Sequence, residues 1–114
     1  MGKASREKGK RGERELASIL REEYGYSARR GQQYAGANGD ADVVGLPKLH
    51  IECKRVEKLN IYDAVDQAKR DRNNGEYAAV FHRKNNCEWL VTMPLTHFMV
   101  IYTEWEAGNY VRDH

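Results

Sequence analysis

The sequence predicts an α/β domain with one central mixed sheet flanked by helices, in the order α-β-β-α-β-β-α. Its 114 residues fit a single domain. Short apolar runs typical of strands lie between segments in which apolar residues recur at helical spacing. Apolar residues make up only 40% of the chain and charged residues 32%, with a mean hydropathy of −0.84. We therefore expect one modest core, which dimerisation would enlarge.

The first helix is predicted over about residues 10–24. Apolar residues recur at helical spacing from Leu16 to Tyr24, and Gly25 ends the pattern. Residues 1–9 combine glycines with alternating charges, so we expect them to form a flexible basic arm.

A loop, a hairpin and a helix are predicted next. Residues 27–40 are rich in glycine and lack apolar periodicity, which indicates a long loop of the kind that is commonly functional. The short strand 41–45 returns through a tight turn as strand 49–56. Asn60 can then cap a helix over 61–72, because a side-chain oxygen at this position accepts from the first free N–H groups.

Two further strands and a last helix complete the domain. The strands are predicted at 76–83 and 87–94, joined by a short turn. Pro94 can begin the last helix, and Gly108 is expected to end it.

The two faces of strand 49–56 carry different chemistry. Side chains alternate along a strand, so Glu52 and Lys54 share one face while Ile51 and Cys53 share the other. Asp42 lies on the preceding strand, and the hairpin can bring it beside Glu52. Two carboxylates and an ammonium group then converge at one end of the sheet.

A third acid lies on the first helix. Glu13 shares the inward face of Leu16, Ala17 and Leu20, whereas Glu15 lies elsewhere on the helix. An acid on an inward face is costly unless it is paired. A metal shared with Asp42 and Glu52 would supply that partner.

These residue types suit phosphodiester hydrolysis. Carboxylate oxygens bind Mg²⁺, which stabilises charge on a phosphate and helps to deliver hydroxide. A neighbouring lysine, here Lys54, can orient or deprotonate the attacking water or neutralise the developing charge.

Other interpretations of the same residues stay open. A Glu–x–Lys pair is common on exposed strands as cross-strand charge pairing. Asp42 could be a turn acid, and Glu13 could pair with Arg14 or Arg21. Asp40 also competes with Asp42 for the strand position, and we favour Asp42 because two valines follow it directly.

The arrangement of Asp42 followed by Glu52–Cys53–Lys54 resembles the PD-(D/E)XK nuclease motif. The segment KGKRGERELASIL at 8–20 is similar to the first helix of Holliday junction resolvases of the archaeal Hjc type and their phage relatives. Those proteins carry a basic K-G-x-x-x-E-R-E-L run whose first glutamate belongs to the active site. The resemblance covers roughly residues 8–72.

The resemblance implies a restriction-endonuclease-like sheet flanked by helices, a Mg²⁺ or Mn²⁺ site, and a homodimer that cuts two strands of a four-way junction. It also implies roles for single residues. These are Asp42 and Glu52 as metal ligands, the Cys53 carbonyl as a possible third ligand, Glu13 as a further ligand directly or through water, Lys54 as the catalytic lysine and Gln67 as its support.

The sequence departs from this family in two places. Ala41 stands where the motif has proline. The archaeal proteins place a catalytic serine in the loop after the first helix, but residues 31–41 contain no serine. In this chain either no residue performs the role of that serine, or Gln32 or Gln33 performs it.

Basic residues are concentrated at the start of the chain. Residues 1–14 contain six basic and two acidic residues, although the whole chain has a net charge of only +2. Such clustering suits phosphate binding, or alternatively a solvated terminus. The residues predicted to contact DNA are Lys8, Lys10, Arg11, Arg14, Arg29, Arg30, Gln33 and Arg55.

We therefore expect a metal-dependent, structure-selective endonuclease that acts on branched DNA as a homodimer. Another nuclease of the same superfamily (nicking, restriction-type or replication-repair) is the first alternative. A DNA-binding domain with purely structural acids is the second. No apolar run approaches the roughly 18 residues of a membrane span, so we expect a cytoplasmic protein of a prokaryote, an archaeon or a phage.

Overall fold

The computed structural model describes residues 3–32 and 41–113, with side chains over 8–32 and 41–108. The predicted α/β class is confirmed, and the mixed sheet flanked by helices is consistent with a restriction-endonuclease-like fold. In chain order the elements are α1 (Lys3–Glu22), β1 (Arg29–Arg30), β2 (Val43–Val44), β3 (Leu49–Arg55), α2 (Ile61–Asp71), β4 (Tyr77–Arg83), β5 (Leu90–Thr92) and α3 (Leu95–Asp113).

The strands form one sheet in the order β1-β2-β3-β4-β5. Strands β3 and β4 are parallel, and the other neighbours are antiparallel. A parallel pair needs a crossover connection, and here α2 supplies it. The carboxyl ends of β3 and β4 therefore meet at one edge, where Arg55 pairs with Arg83.

The sheet separates two small apolar layers. Alternate β3 residues Ile51 and Cys53 face α1 and join the cluster built on Leu16, Ala17 and Leu20. The opposite face is covered by α2 through a second cluster of Ala64, Ala68, Ala78 and Val80. The predicted cap of α2 is present, because Asn60 Oδ1 accepts from Asp63 N at 3.2 Å.

Several predicted boundaries differ from the structure, and the strand predicted over 87–94 is observed only as the shorter β5. The segment predicted as a loop over 27–40 contains strand β1, so the order is α-β-β-β-α-β-β-α. Its two arginines carry no apolar pattern, and only pairing with β2 makes them a strand. Helix α1 begins at Lys3 instead of near residue 10, because the alanine, arginine, glutamate and lysine residues there favour helix. Gly108 does not end α3.

Helix α3 packs lightly on the rest of the described chain. His97 anchors its first turn, because Nδ1 accepts from Ala78 N at 3.0 Å and the ring meets Tyr77 edge-on. Beyond it, large apolar side chains stay in solvent, with Trp105 59% exposed. Within the described residues, no helix is long and apolar enough to cross a membrane.

Candidate active site

The carboxyl groups of Asp42 and Glu52 come together, as the predicted hairpin requires. Asp42 N donates to Ile51 O at 3.0 Å, and Cys53 N donates to Asp42 Oδ2 at 2.9 Å. These two bonds hold Asp42 against the middle of β3. Its carboxyl group forms a hydrogen bond with that of Glu52, whose side chain is almost fully buried.

Burial and close approach make the two carboxyl groups titrate differently. Burial, followed by repulsion from Glu52, raises the pKa of Asp42 to about 7, although the Cys53 N–H opposes this. Burial alone would also raise the pKa of Glu52, but hydrogen bonds from His50 and Asp42 outweigh it and lower that pKa. Below pH 7 the pair therefore shares one proton, held by Asp42 and donated to Glu52.

His50 lies on the same face of β3 as Glu52 and is equally buried. Its Nε2 donates to Glu52 Oε1 at 3.0 Å, and its Nδ1 lies 3.7 Å from Glu76 Oε1. Burial alone would lower the pKa of His50, but the hydrogen bond and charge of Glu52 raise it overall. The imidazole thus fixes one Glu52 oxygen in place.

Lys54 and Gln67 line one cavity of about 450 Å³ between the end of β3 and α2. Asp63, Asp66 and Arg70 line the same cavity. Lys54 is partly exposed, so its ammonium group can reach solvent or a ligand in this space. Glu52 and Lys54 share the α2 face of β3, but Glu52 does not line this cavity.

Glu13 is partly buried at the α1 face of the sheet. Its Oε1 accepts from Arg30 Nε at 2.9 Å, so the structure pairs it with β1. Its charge still contributes to the raised pKa of Asp42. Glu13 therefore acts on Asp42 through its charge, whereas its direct contact is the salt bridge to Arg30.

A family model described as "Phage putative PDDEXK endonuclease" matches residues 4–114. The chain belongs to this family. No curated protein and no solved structure gives a significant match. PDDEXK nucleases generally use divalent metal ions. Membership of a nuclease family makes DNA the substrate class of this PDDEXK endonuclease.

The carboxyl pair of this PDDEXK endonuclease fits a divalent ion. Across the side chains described at 8–32 and 41–108, no three His, Cys, Asp or Glu residues come together as ligands. Asp42 and Glu52 suffice for an ion of the Mg²⁺ type, which takes one or two carboxylates and keeps several waters. A cation there would also relieve the repulsion that raises the pKa of Asp42.

Cys53 contributes through its backbone. Its N–H holds Asp42, while its side chain lies in the core cluster on the α1 face. Burial raises the pKa of the Cys53 thiol, which keeps it protonated and chemically inert.

The predicted DNA-binding residues lie in several environments. Arg30 is bound to Glu13, and Lys10, Arg14 and Arg29 are exposed. Lys8, Arg11 and Arg55 line a cavity of about 440 Å³. Gln33, and Asp40 as the competitor of Asp42, lie outside the described residues.

Two residues of the site region escaped prediction from the sequence. Glu15 was expected away from the packed region, but it is partly buried and binds Arg55, Arg83 and Trp89. Nothing local indicates these contacts, since the partners lie 40 to 74 positions away. His50 is absent from the predicted site, yet its position two residues before Glu52 places both side chains on one strand face.

Proposed function

We propose that this PDDEXK endonuclease hydrolyses DNA phosphodiesters at a site built from Asp42, Glu52 and Lys54, with Mg²⁺ or Mn²⁺ held by the two carboxylates. The observation that carries the proposal is that two backbone hydrogen bonds hold Asp42 against β3 beside Glu52, with Lys54 next on the same strand face. When bound, the ion would stabilise charge on the phosphate and lower the pKa of a bound water.

The chain itself would position the reactants. Lys54, at the mouth of the α2-side cavity, would orient the attacking water or balance charge on the phosphate. Gln67, in the same cavity, would support the lysine or the water. We further propose the Cys53 carbonyl as a third metal ligand and Glu13 as a ligand through water, since Glu13 Oε1 is bound to Arg30.

We propose branched DNA, most specifically a four-way junction, as the preferred substrate. The similarity of residues 8–20 to the first helix of junction resolvases supports this choice. Basic side chains on α1 and β1 suit a substrate recognised by shape and backbone charge. The role of the loop serine in archaeal resolvases would fall to Gln32, which is exposed, or to Gln33.

We propose that the active form is a homodimer. Helix α3 presents an aromatic row in which Phe98 stacks on Tyr102 and Tyr102 contacts Trp105. Pairing two copies through α3 would bury this row and relate two active sites by a two-fold axis, which suits paired nicks in two strands. The phage family supports action in the cytoplasm of a prokaryotic host.

A substrate panel tests the function. The purified protein with Mg²⁺ is incubated with labelled junction, flap, duplex and single-stranded DNA, and the products are resolved on sequencing gels. We expect paired nicks in the junction and little cutting of the other substrates. Equal cutting of all four would contradict resolvase activity and favour another nuclease of the superfamily.

Two substitutions test the site in the same assay. Asp42→Asn and Glu52→Gln should each lower the cleavage rate about a thousandfold, since an ion at such a site supplies several kcal/mol of stabilisation. The matched control is Glu22→Gln, an exposed acid at the end of α1, which should cut normally. A wild type that binds DNA but does not cut it would indicate a non-catalytic DNA-binding domain.

A further inference from the structure

Glu15 joins α1 to the carboxyl ends of the two parallel strands. Its Oε2 accepts from Arg55 Nε at 3.0 Å, and its Oε1 accepts from Arg83 Nη1 at 3.0 Å. Arg55 and Arg83 are register partners on β3 and β4. Trp89 Nε1 also donates to Glu15 Oε1, at 3.1 Å, so this one carboxylate holds two guanidinium groups side by side.

The cations around Glu15 outnumber the anions. Lys8 and Arg11, in the N-terminal half of α1, line one cavity of about 440 Å³ with Arg55, Glu15 and Asn85. Glu57 Oε2 accepts from Asn85 N at 2.7 Å, but its side chain does not line the cavity. Among the described side chains, a surplus of positive charge therefore surrounds this space even when Glu15 and Glu57 are both included.

The guanidinium of Arg55 is held in place by two hydrogen bonds but keeps further N–H donors. Its Nε binds Glu15 and its Nη1 donates to Asn85 Oδ1 at 3.0 Å. These bonds occupy two of its five N–H groups, and within the described chain the other three have no partner. Arg83 has in addition a buried Nε without a hydrogen-bond partner among the described residues. An oriented arginine with free donors matches a phosphate better than a mobile one.

Close packing of α1 keeps this arrangement in place. A Cβ added at Gly12 would lie 2.9 Å from Arg55 Cβ, so α1 crosses β3 almost in contact with the arginine stem. Arg55 is thus held at its base by Gly12 and at its head by Glu15 and Asn85.

The cluster lies across the strand from the proposed catalytic lysine. Lys54 and Arg55 are consecutive in β3, so their side chains point to opposite faces of the sheet. A DNA strand that crosses the carboxyl end of β3 could therefore meet Lys54 on the α2 side and Arg55 on the α1 side.

We propose that Lys8, Arg11, Arg55 and Asn85 form a binding site for a non-scissile phosphodiester of the DNA substrate, with Glu15 as the positioning residue that orients Arg55. The inference rests on the proposed function, because it takes DNA as the ligand. It adds a second phosphate contact, separate from the carboxyl pair.

The test measures DNA binding separately from cleavage. Full-length protein carrying Asp42→Asn, which blocks cutting, is titrated into fluorescein-labelled duplex and junction DNA, and anisotropy is followed over a series of KCl concentrations. The logarithm of the DNA association constant falls as log [salt] rises, and each lost phosphate contact should make this fall less steep by about 0.9. Each lost contact should also weaken DNA binding about eightfold at about 0.1 M salt. Arg55→Gln should show one such loss, and Lys8→Gln combined with Arg11→Gln should show about two.

Charge and position are separated by two further variants. Lys69→Gln removes an equal charge from the exposed face of α2 and should leave the slope within about 0.3 of the parent, well below the loss of one contact. Glu15→Gln removes a negative charge, so it would strengthen binding if Glu15 acted only through its charge. A positioning role predicts the opposite, namely weaker binding and a lower slope.

The outcomes are distinct. The inference is overturned if Arg55→Gln and the Lys8/Arg11 double variant both give the same salt slope as Lys69→Gln. The positioning role of Glu15 is overturned if Glu15→Gln binds DNA more tightly. If Arg55→Gln unfolds, the double variant still decides, because Lys8 is only half-buried and Arg11 is exposed. Cleavage by the wild type with unchanged slopes would reject this site alone, whereas a wild type that neither binds nor cuts DNA would reject the proposed function too.

Discussion

The carboxylate of Asp42 accepts a hydrogen bond from the backbone N–H of Cys53, with 2.9 Å between Oδ2 and N. Cys53 stands between Glu52 and Lys54 on β3, so this bond sets the position of Asp42 relative to both. The geometry of the carboxyl pair therefore depends on strand pairing. Side chains that the alternation of β3 sends to the other face play no direct part in it.

Stability without metal should fall as the pH rises from about 4 to 7, and Asp42 should be a main cause. Its folded pKa of about 7 lies above the ordinary value of 3.8. The folded state thus holds this proton more tightly than the unfolded state, and the resulting stabilisation is lost as the pH rises through 7. Asp42→Asn should gain stability relative to the wild type over this range, by at most about 4 kcal/mol.

Urea denaturation in EDTA at several pH values measures this difference. Asp66→Asn, an exposed acid on α2, is the matched control. If the difference in free energy of unfolding between Asp42→Asn and the wild type stays constant from pH 4 to 8, Asp42 does not hold the proton.

Metal binding should release a proton from the same pair. Ligating carboxylates must be ionised, whereas Asp42 is largely protonated at pH 6 because its pKa is about 7. Calorimetric titration with Mn²⁺ in two buffers of different ionisation enthalpy should give close to one proton released per ion at pH 6 and much less at pH 8. Equal release at both pH values would argue against Asp42 as a ligand.

Removing His50 should destabilise the protein through Glu52. His50→Leu would leave a buried carboxylate without its donor, at a cost of about 3 kcal/mol. His50→Gln keeps a donor at this position and should cost only about 1 kcal/mol. Denaturation of both variants at pH 7 without metal checks the order, and equal losses would mean that the donor to Glu52 is unimportant.

The two glycines of α1 should respond oppositely to alanine. Gly9→Ala meets nothing within 4 Å and should stabilise the helix by up to about 1 kcal/mol. Gly12→Ala places its methyl 2.9 Å from Arg55 Cβ, and overpacking of about 1–3 kcal/mol should exceed the same helical gain. Thermal unfolding of the two variants measures the contrast, which a stabilised Gly12→Ala would contradict.

Helix α3 should mediate self-association. Trp105→Glu puts a charge into the aromatic row and should convert a dimer into a monomer in sedimentation equilibrium. Tyr62→Glu is the control, since Tyr62 on α2 is 81% exposed and lies outside that row. A monomeric wild type at the same concentration would contradict the homodimer.

Local patterns in the sequence determined the parts of this fold that depend on neighbours along the chain. The alternation around Glu52 and Lys54 predicts the two faces of β3, and the short connection from Asp42 predicts the hairpin that joins the carboxyl groups. Asn60 likewise predicts the start of α2, because a cap acts within one helical turn.

Only the tertiary structure decided the contacts between distant segments. The pairing of Glu13 with Arg30 follows from a strand that exists only through its neighbour β2. Glu15 meets Arg83 across 68 positions, because the parallel pairing of β3 and β4 brings their ends together under α1. Periodicity in the sequence indicates which face of a strand or helix a side chain occupies. The order of strands in the sheet decides which charged side chains from distant segments share that face. In this small domain, those charged side chains form the candidate active site and the cluster around Glu15.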